Sequence, residues 1–298
     1  MLVAEGWQDY ELIDTGFGEK LERWGSYILR RPDPLAVWPR ELEEDRWECA
    51  DAVYHRSDKG GGYWENKANR MPEKWVISYK ELKFLIKPMQ FKHTGLFPEQ
   101  ALNWEWSMEK IRRERERRQS RGIDRPVDIL NLFAYTGAAT MAAVSAGARV
   151  CHVDASKGMV RVAKENAEIS GLPHELTRYI VDDVGKFVGR EVKRGRKYDA
   201  IIMDPPAYGR GPDGELWKIG DQLFDLIGRC IELLSQEPLF IIINSYATSL
   251  SPVTLGNILT LSAEKRFGGK SFCDEIVLRS GSRGIVLPCG CCGRWEAE

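Results

Sequence analysis

The run Asn131-Leu132-Phe133-Ala134-Tyr135-Thr136-Gly137-Ala138-Ala139, with Asp154 seventeen residues after Gly137, decides the fold class. Its left half completes an apolar strand, Asp128–Phe133, and its right half opens a helix over Thr136–Ala146. Gly137 permits a tight turn between them, and Thr136 stands where a helix cap is needed. The alternation then continues downstream. Strands are predicted at Arg149–Asp154, Glu175–Val181, Tyr198–Met203 and Leu239–Asn244, and helices at Lys157–Ile169, Asp183–Val192, Lys218–Leu234 and Pro252–Lys265. Strands joined through helices run parallel and are covered on both faces. Cys273–Arg279 and Gly284–Leu287 have no helix between them and predict an antiparallel hairpin on the sheet edge. The fold class is therefore α/β: a doubly wound, Rossmann-like sheet with a C-terminal antiparallel hairpin.

The first third of the chain reads differently. Six of the ten tryptophans precede residue 100, and apolar residues alternate: Trp75, Ile77 and Tyr79 on one strand, Leu82, Phe84 and Ile86 on the next. Residues 1–89 are expected to form a small β-rich domain whose tryptophans fill its core or stack on bases. Residues 90–127 connect it to the α/β domain, residues 128–298. Within that connection, Gln100–Arg121 is a charged segment in which Leu102, Met108 and Ile111 are sparse apolar positions. With the i,i+4 pairs Glu109–Arg113 and Glu114–Arg118, it predicts a solvated helix.

Composition narrows the function. With 43% hydrophobic and 29% charged residues over 298 positions, the chain can build a sizeable core, which excludes a disordered chain or a simple coiled coil. The net charge is −1, so nucleic-acid binding would need local basic patches. The longest apolar run, Leu239–Ile243, is far shorter than a membrane span, and Met1–Glu11 lacks the pattern of a signal peptide. Seven cysteines in a chain of this length do not suggest a disulfide scaffold. A cytoplasmic protein, with no membrane partner, is expected.

Ligands of such sheets bind beyond the carboxyl ends of the strands. At the first end, Tyr135, Thr136 and Gly137 bring backbone close to a ligand, and the helix behind them offers N–H groups to a carboxylate. The G-x-G-x-x-G cradle of a pyrophosphate binder is absent, which argues against NAD and FAD. At the second end, Asp154 suits a pair of ribose hydroxyls; it or Ser156 would alternatively cap the next helix. At the third end, Asp182 or Asp183 offers a carboxylate to the amino group of adenine, Asp183 being preferred of the two; the alternative is a capping Asp for a short helix. At the fourth, Asp204-Pro205-Pro206-Ala207-Tyr208 holds a carboxylate in a loop stiffened by two prolines, with an aromatic ring that can stack on a planar acceptor.

Together these ends describe a nucleoside site without a phosphate cradle, and the ligand that fits is S-adenosyl-L-methionine. The residues resemble the class I S-adenosylmethionine-dependent methyltransferases. The likeness sharpens at Phe91-Lys92-His93-Thr94-Gly95-Leu96-Phe97-Pro98-Glu99-Gln100, which is similar to the K-T-G-F-x-x-[DE]-Q segment of the bacterial 23S ribosomal RNA large-subunit methyltransferase I/K family. Asn131–Gly137 is similar to that family's first motif. The resemblance implies that Thr94, Phe97 and Gln100 help close over the cofactor. It also implies that residues 1–89 are a substrate domain and that the acceptor is a ribosomal RNA base. Two departures stand out. No room is found for the family's N-terminal RNA-binding PUA domain. No cysteine follows the fourth or fifth strand, where a C5-cytosine methyltransferase needs its nucleophile. Asp204-Pro205-Pro206 also resembles the D-P-P-Y loop of amino-group methyltransferases, with Ala207 intervening. A nitrogen target is therefore favoured, with Asp204 and Tyr208 as the catalytic candidates. The rival readings are a small-molecule or protein methyltransferase, and a non-catalytic nucleotide- or RNA-binding module.

Other features are read structurally. Cys289, Cys291 and Cys292 lack C-x₂₋₄-C spacing, so thiols on an edge strand are preferred to a metal site. His152 lies inside a strand as a core histidine. His93 is not assigned to catalysis.

Overall fold

A computed structural model describes residues 1–57, 61–89, 91–210, 214, 216–247, 249–281 and 284–298. Two compact units emerge, one of Val3–Ala101 with Val277–Cys289, the other of Met1–Leu2, Leu102–Ile276 and Gly290–Glu298. The compact units therefore part at Ala101, and a late segment returns to the first; the expected sequence boundaries lay at 89 and 127.

The first unit follows a short strand β1 (Leu2–Ala4). Strands β2 (Tyr10–Gly16), β3 (Glu19–Trp24) and β4 (Tyr27–Pro32) form an antiparallel meander. Helix α1 (Glu44–Glu48) precedes β5 (Ala52–Arg56) and β6 (Gly62–Asn66), which complete a five-stranded sheet in sequence order. A separate hairpin is made by β7 (Trp75–Tyr79) and β8 (Leu82–Ile86). Its alternation behaves as read: Ile77, Tyr79, Leu82, Phe84 and Ile86 are buried. Trp24 and Trp47 are fully buried, so two of the tryptophans are core. The sheet also encloses charge. Glu22 is fully buried and accepts from Arg31 Nε (2.6 Å) and Nη2 (2.8 Å) and from the Tyr10 hydroxyl (2.8 Å). Burial pushes the Glu22 carboxyl up, but Arg31 and Lys20 outweigh it and hold it at about 2.

The second unit opens with α2 (Ala101–Ser120), followed by β9 (Asp128–Leu132), α3 (Ala138–Ser145), β10 (Arg149–Asp154), α4 (Lys157–Ile169) and β11 (Thr177–Val181). Then come α5 (Val184–Lys193), β12 (Ala200–Met203), β13 (Tyr208–Arg210), β14 (Leu216–Lys218), α6 (Ile219–Glu232), β15 (Phe240–Ser245), α7 (Pro252–Leu259), β16 (Lys270–Ser280) and β17 (Ile285–Glu296). The sheet order is β1-β16-β17-β15-β12-β9-β10-β11. Strands β15, β12, β9, β10 and β11 are parallel, and β17 is antiparallel to β15. All of β12 and β15 is buried, as expected of central strands covered on both faces. After β9 the chain winds outward to β11, then crosses to β12 on the other side of β9. The topological switch therefore lies between β9 and β12, where open α/β sheets bind ligands.

Three expectations need correcting. Helix α2 is not merely solvated: Trp104, Met108 and Ile111 are buried together with Asn103, Ser107, Glu114 and Arg118. Its inner face is half polar, so the charged sequence hid it. Arg118 donates to Glu114 (2.8 Å) and pairs with the fully buried Asp199 at the start of β12 (3.1 Å). Second, β17 runs through the cysteine-rich stretch and lies inside the sheet, so Cys291 and Cys292 are buried in an interior strand and not on an edge. Third, the C-terminal hairpin is not the outermost element, because β1 flanks β16.

Candidate active site

The loop after β9 is the most constrained backbone of its unit. Phe133, Tyr135 and Gly137 have φ of 56°, 50° and 86°. Bulky residues rarely adopt that region, at a cost of order 1–3 kcal/mol each, so surrounding bonds must impose it. Ala134 N donates to Val153 O (3.0 Å) and Tyr135 N to Asp154 Oδ2 (2.8 Å). From α4, the buried Asn166 donates from Nδ2 to Thr136 O (2.9 Å). Gly137, and not Thr136, is the N-cap of α3. A Cβ at Gly137 would stand 2.8 Å from Ala163 Cβ, so glycine lets α4 pack against the loop as well as supplying the turn. Beneath the loop, Asn131 donates to Thr140 Oγ1 (2.9 Å), which bonds His152 Nδ1 (3.0 Å). His152 is fully buried, and burial pushes its imidazole down to about 3, the neutral core histidine expected.

Asp154 is held by both oxygens. Oδ2 accepts from Tyr135 N and Oδ1 from Ser156 N, each at 2.8 Å. Burial raises its carboxyl above the usual range, against the pull of these two bonds. Each oxygen keeps a second lone pair, so the carboxylate is set to receive two hydroxyls without reorganising. Ser156 is the N-cap of α4, accepting from Met159 N (3.4 Å).

At the third end, Asp182 N donates to Asp154 O (3.1 Å), so these two ends are adjacent. Asp183 uses Oδ1 to cap α5 through Lys186 N (2.8 Å), and the Asp182 carboxylate pairs with Arg190. The preferred adenine partner is thus a helix cap, and its neighbour is held by a guanidinium.

Asp204 leaves β12 at the switch point, its N–H donating to Leu132 O (3.4 Å). The Pro205–Tyr208 loop is braced by a residue sequence reading missed. Trp217, on β14, donates from Nε1 to Pro206 O (2.6 Å), and its ring lies 5.3 Å from that of Phe133. One indole therefore touches both loops that flank the switch. Ile219 N donates to Ala207 O (3.1 Å), tying the same loop to the start of α6. Tyr208 begins β13, its ring 55% exposed and available for stacking. Near the end of β15, Asn244 accepts from Asn103 of α2 (2.9 Å); Asn103 in turn accepts from Arg294 (2.8 Å). Sequence reading missed Asn103 and Asn166 too, since each reaches the strand ends from a distant helix.

Thr94, Phe97 and Gln100 lie in the β-rich unit. Thr94 is fully buried with Oγ1 lacking a hydrogen-bond partner, Gln100 is buried, and Phe97 meets His93 edge-on at 5.4 Å. His93 is pushed down to about 4 by burial and by Arg31, Lys92 and Lys20. Among the described residues no group of three His, Cys, Asp or Glu is placed to hold a metal ion. Burial raises the thiols of Cys291 and Cys292, to about 11 and 12.

A family model for S-adenosylmethionine-dependent methyltransferases matches residues 53–248. The chain belongs to this family. A crystal structure of the S-adenosylmethionine-dependent methyltransferase from Agrobacterium tumefaciens superposes with a TM-score of 0.90 at 36% identity, over 100% of this chain and 93% of that one. Among curated proteins, ribosomal RNA large subunit methyltransferase I of Klebsiella pneumoniae is 40% identical over 81 residues, 27% of this chain and 20% of its own. Ribosomal RNA large subunit methyltransferase K of Neisseria meningitidis is 27% identical over 195 residues, 63% and 51% of the two chains. The chain spans about half or less of the curated relatives it matches.

The methyl donor is S-adenosylmethionine, and the residues fit it. A pre-bonded acceptor carboxylate, a tight loop without phosphate glycines and the N-terminus of α3 suit ribose, adenosine and an amino-acid carboxylate respectively. When bound, this cofactor supplies an activated methyl group. The protein's own task is then to align the acceptor, which lowers the barrier through orientation.

Proposed function

We propose that the methyl acceptor is a base of ribosomal RNA and that the attacking atom is a nitrogen. The observation that carries this reading is the Asp204-Pro205-Pro206 loop at the switch point, tied to the β9 loop through Leu132 O and Trp217. Asp204 holds the acceptor's amino group and orients its lone pair; Tyr208 stacks on the base. Asp154 binds the ribose, Asp182 or Asp183 the adenine amino group, and Tyr135–Gly137 with Ser156 frame the rest. The names of the relatives support ribosomal RNA. The missing nucleophile supports nitrogen over C5, because the sequence has no cysteine between Asp204 and Arg229 or between Asn244 and Phe272. Among the described residues no helix is long and apolar enough to cross a membrane, which accords with action on ribosomes in the cytoplasm.

The test is a comparison of methylated nucleosides in ribosomal RNA from a deletion strain and its parent by mass spectrometry. Loss of one N-methylated base in the deletion strain, restored by the gene, is expected. An unchanged nucleoside inventory would reject ribosomal RNA as substrate. A covalent complex trapped on 5-fluorocytosine-containing RNA would reject the nitrogen target.

A further inference from the structure

Charge divides the β-rich unit at the edge of the family match. Residues 3–51, outside the match, hold six Lys and Arg against thirteen Asp and Glu. Residues 52–92, almost all inside it, hold nine against four. The near-neutral whole thus hides a basic segment, the local excess of positive charge in which phosphate contacts are to be sought.

The same segment exposes two aromatic rings. Tyr63 on β6 is 64% exposed and Phe91 59%. Both are held from behind. His55 on β5 is the cross-strand partner of Tyr63, and their rings stack at 5.1 Å and 28°. Glu65 fixes that imidazole through Nε2 (2.7 Å), so one face of Tyr63 is covered while most of the ring stays open to solvent. Phe91 sits on the turn where Met89 N donates to His93 O (3.0 Å) and Lys87 N to Thr94 O (2.9 Å). Trp64 anchors that turn to β6, donating from Nε1 to Met89 O (2.9 Å). A Cβ on Gly61 would stand 3.7 Å from Phe91 Cε1, which puts the ring against the start of β6. Gly62 is required there, since its Cβ would meet His55 O at 2.1 Å. Arg56, exposed at the end of β5, is the cross-strand partner of Gly62 and provides cationic charge next to the Tyr63 pair.

We propose that Tyr63 and Phe91 form a stacking platform for unpaired bases of the RNA substrate, with Arg56 meeting the adjoining phosphate. This rests on the ribosomal RNA reading and adds that the recognised element is single-stranded. Every base has a π-face, so two exposed rings with a cation beside them bind splayed bases with little sequence preference. A duplex, whose bases are stacked on one another, cannot use them.

The experiment measures binding of the full chain to a fluorescein-labelled 12-nucleotide oligoadenylate and to a duplex RNA of equal length. The single strand is expected to bind more tightly. Tyr63→Ala and Phe91→Ala should each weaken it by about 5- to 150-fold, while Tyr63→Phe, which keeps the ring, stays within about twofold. Arg56→Ala should lower the salt dependence by about one phosphate contact. Melting temperature and affinity for S-adenosylhomocysteine should not change in any of these variants. Equal binding by the alanine variants, or a Tyr63→Phe loss as large as that of alanine, overturns the platform. If ribosomal RNA is methylated while the alanine variants bind normally, only the platform fails. If the unaltered protein neither binds nor methylates RNA, the substrate reading fails with it.

Discussion

Asp154 and Asp204 stand at the ends of the two strands that flank β9, and different bonds hold them. Asp154 has both oxygens on backbone N–H groups, so it arrives at the ligand already oriented. Its replacement by alanine removes a charge-assisted contact of about 1.5–3 kcal/mol, and S-adenosylhomocysteine should bind roughly 10- to 150-fold more weakly. Calorimetry giving unchanged affinity would reject the ribose assignment. Asp154→Asn keeps one acceptor for the loop and should lose less. On the proposed reading, Asp204 contributes mainly in the reacting geometry. Asp204→Ala should slow single-turnover methyl transfer at saturating cofactor by about 10²-fold or more, with a much smaller change in cofactor affinity. Near-normal turnover in a well-folded variant would instead make Asp204 a turn residue. The position of both acids was legible in the sequence because each stands at the carboxyl end of a strand, Asp154 closing β10 and Asp204 following β12. The role of Asp183 was not, since the sequence cannot say which of two adjacent acids the helix takes as its cap.

Among the elements, the β-α order was readable because each parallel strand is a continuous apolar run and each helix has a marked start. Strands β10 and helix α4 match their expected bounds residue for residue. What could not be read was whatever depends on partners far along the chain. The cysteine- and glycine-rich half of β17 carries no strand pattern, yet β15 pairs with it from Phe240↔Glu296 to Ser245↔Cys291. The polar inner face of α2 is explained only by Asp199, Asn244 and Arg294, none of them nearby in sequence. Trp217 is the functional example, an isolated tryptophan whose meaning comes from Phe133 and Pro206. Trp217→Phe keeps an aromatic ring against Phe133 but loses the bond to Pro206 O, and should slow methyl transfer by about 2- to 10-fold with cofactor affinity nearly unchanged. Trp217→Ala also frees the Phe133 side of the β9 loop, so both turnover and cofactor affinity should fall, by about 10-fold or more for turnover. Equal kinetics in all three proteins would show that the two loops hold their geometry without the indole.

Across the whole molecule, two buried groups and the half-buried His93 make stability depend on pH with the same sign. His93, in the β-rich unit, and His152, in the α/β unit, are pushed down to about 4 and about 3. The unfolded chain protonates both near 6.5, while the folded chain keeps both neutral, so the unfolded state binds more protons below that pH. Their contribution is therefore fully present above pH 6.5 and is lost as the pH falls through 6.5 toward 4 and 3. Glu22 acts lower. Its folded value of about 2 lies below the 4.5 of the free group, so its contribution is present above 4.5 and lost between 4.5 and 2. That shift corresponds to about 3 kcal/mol. Urea midpoints measured between pH 7 and pH 4.5, in an Asp154→Asn background that removes the opposing effect of the raised Asp154 carboxyl, report the histidines, because Glu22 is still ionised in both states over most of that range. Each histidine contributes a slope of up to about 1.4 kcal/mol per pH unit. His93→Asn should remove the dependence from the transition of the β-rich unit, and His152→Asn from that of the α/β unit. If the two units melt together, each variant removes about half of the common slope. A slope that survives both substitutions would mean that neither imidazole is held neutral, and the acid sensitivity would then belong to the carboxylates alone.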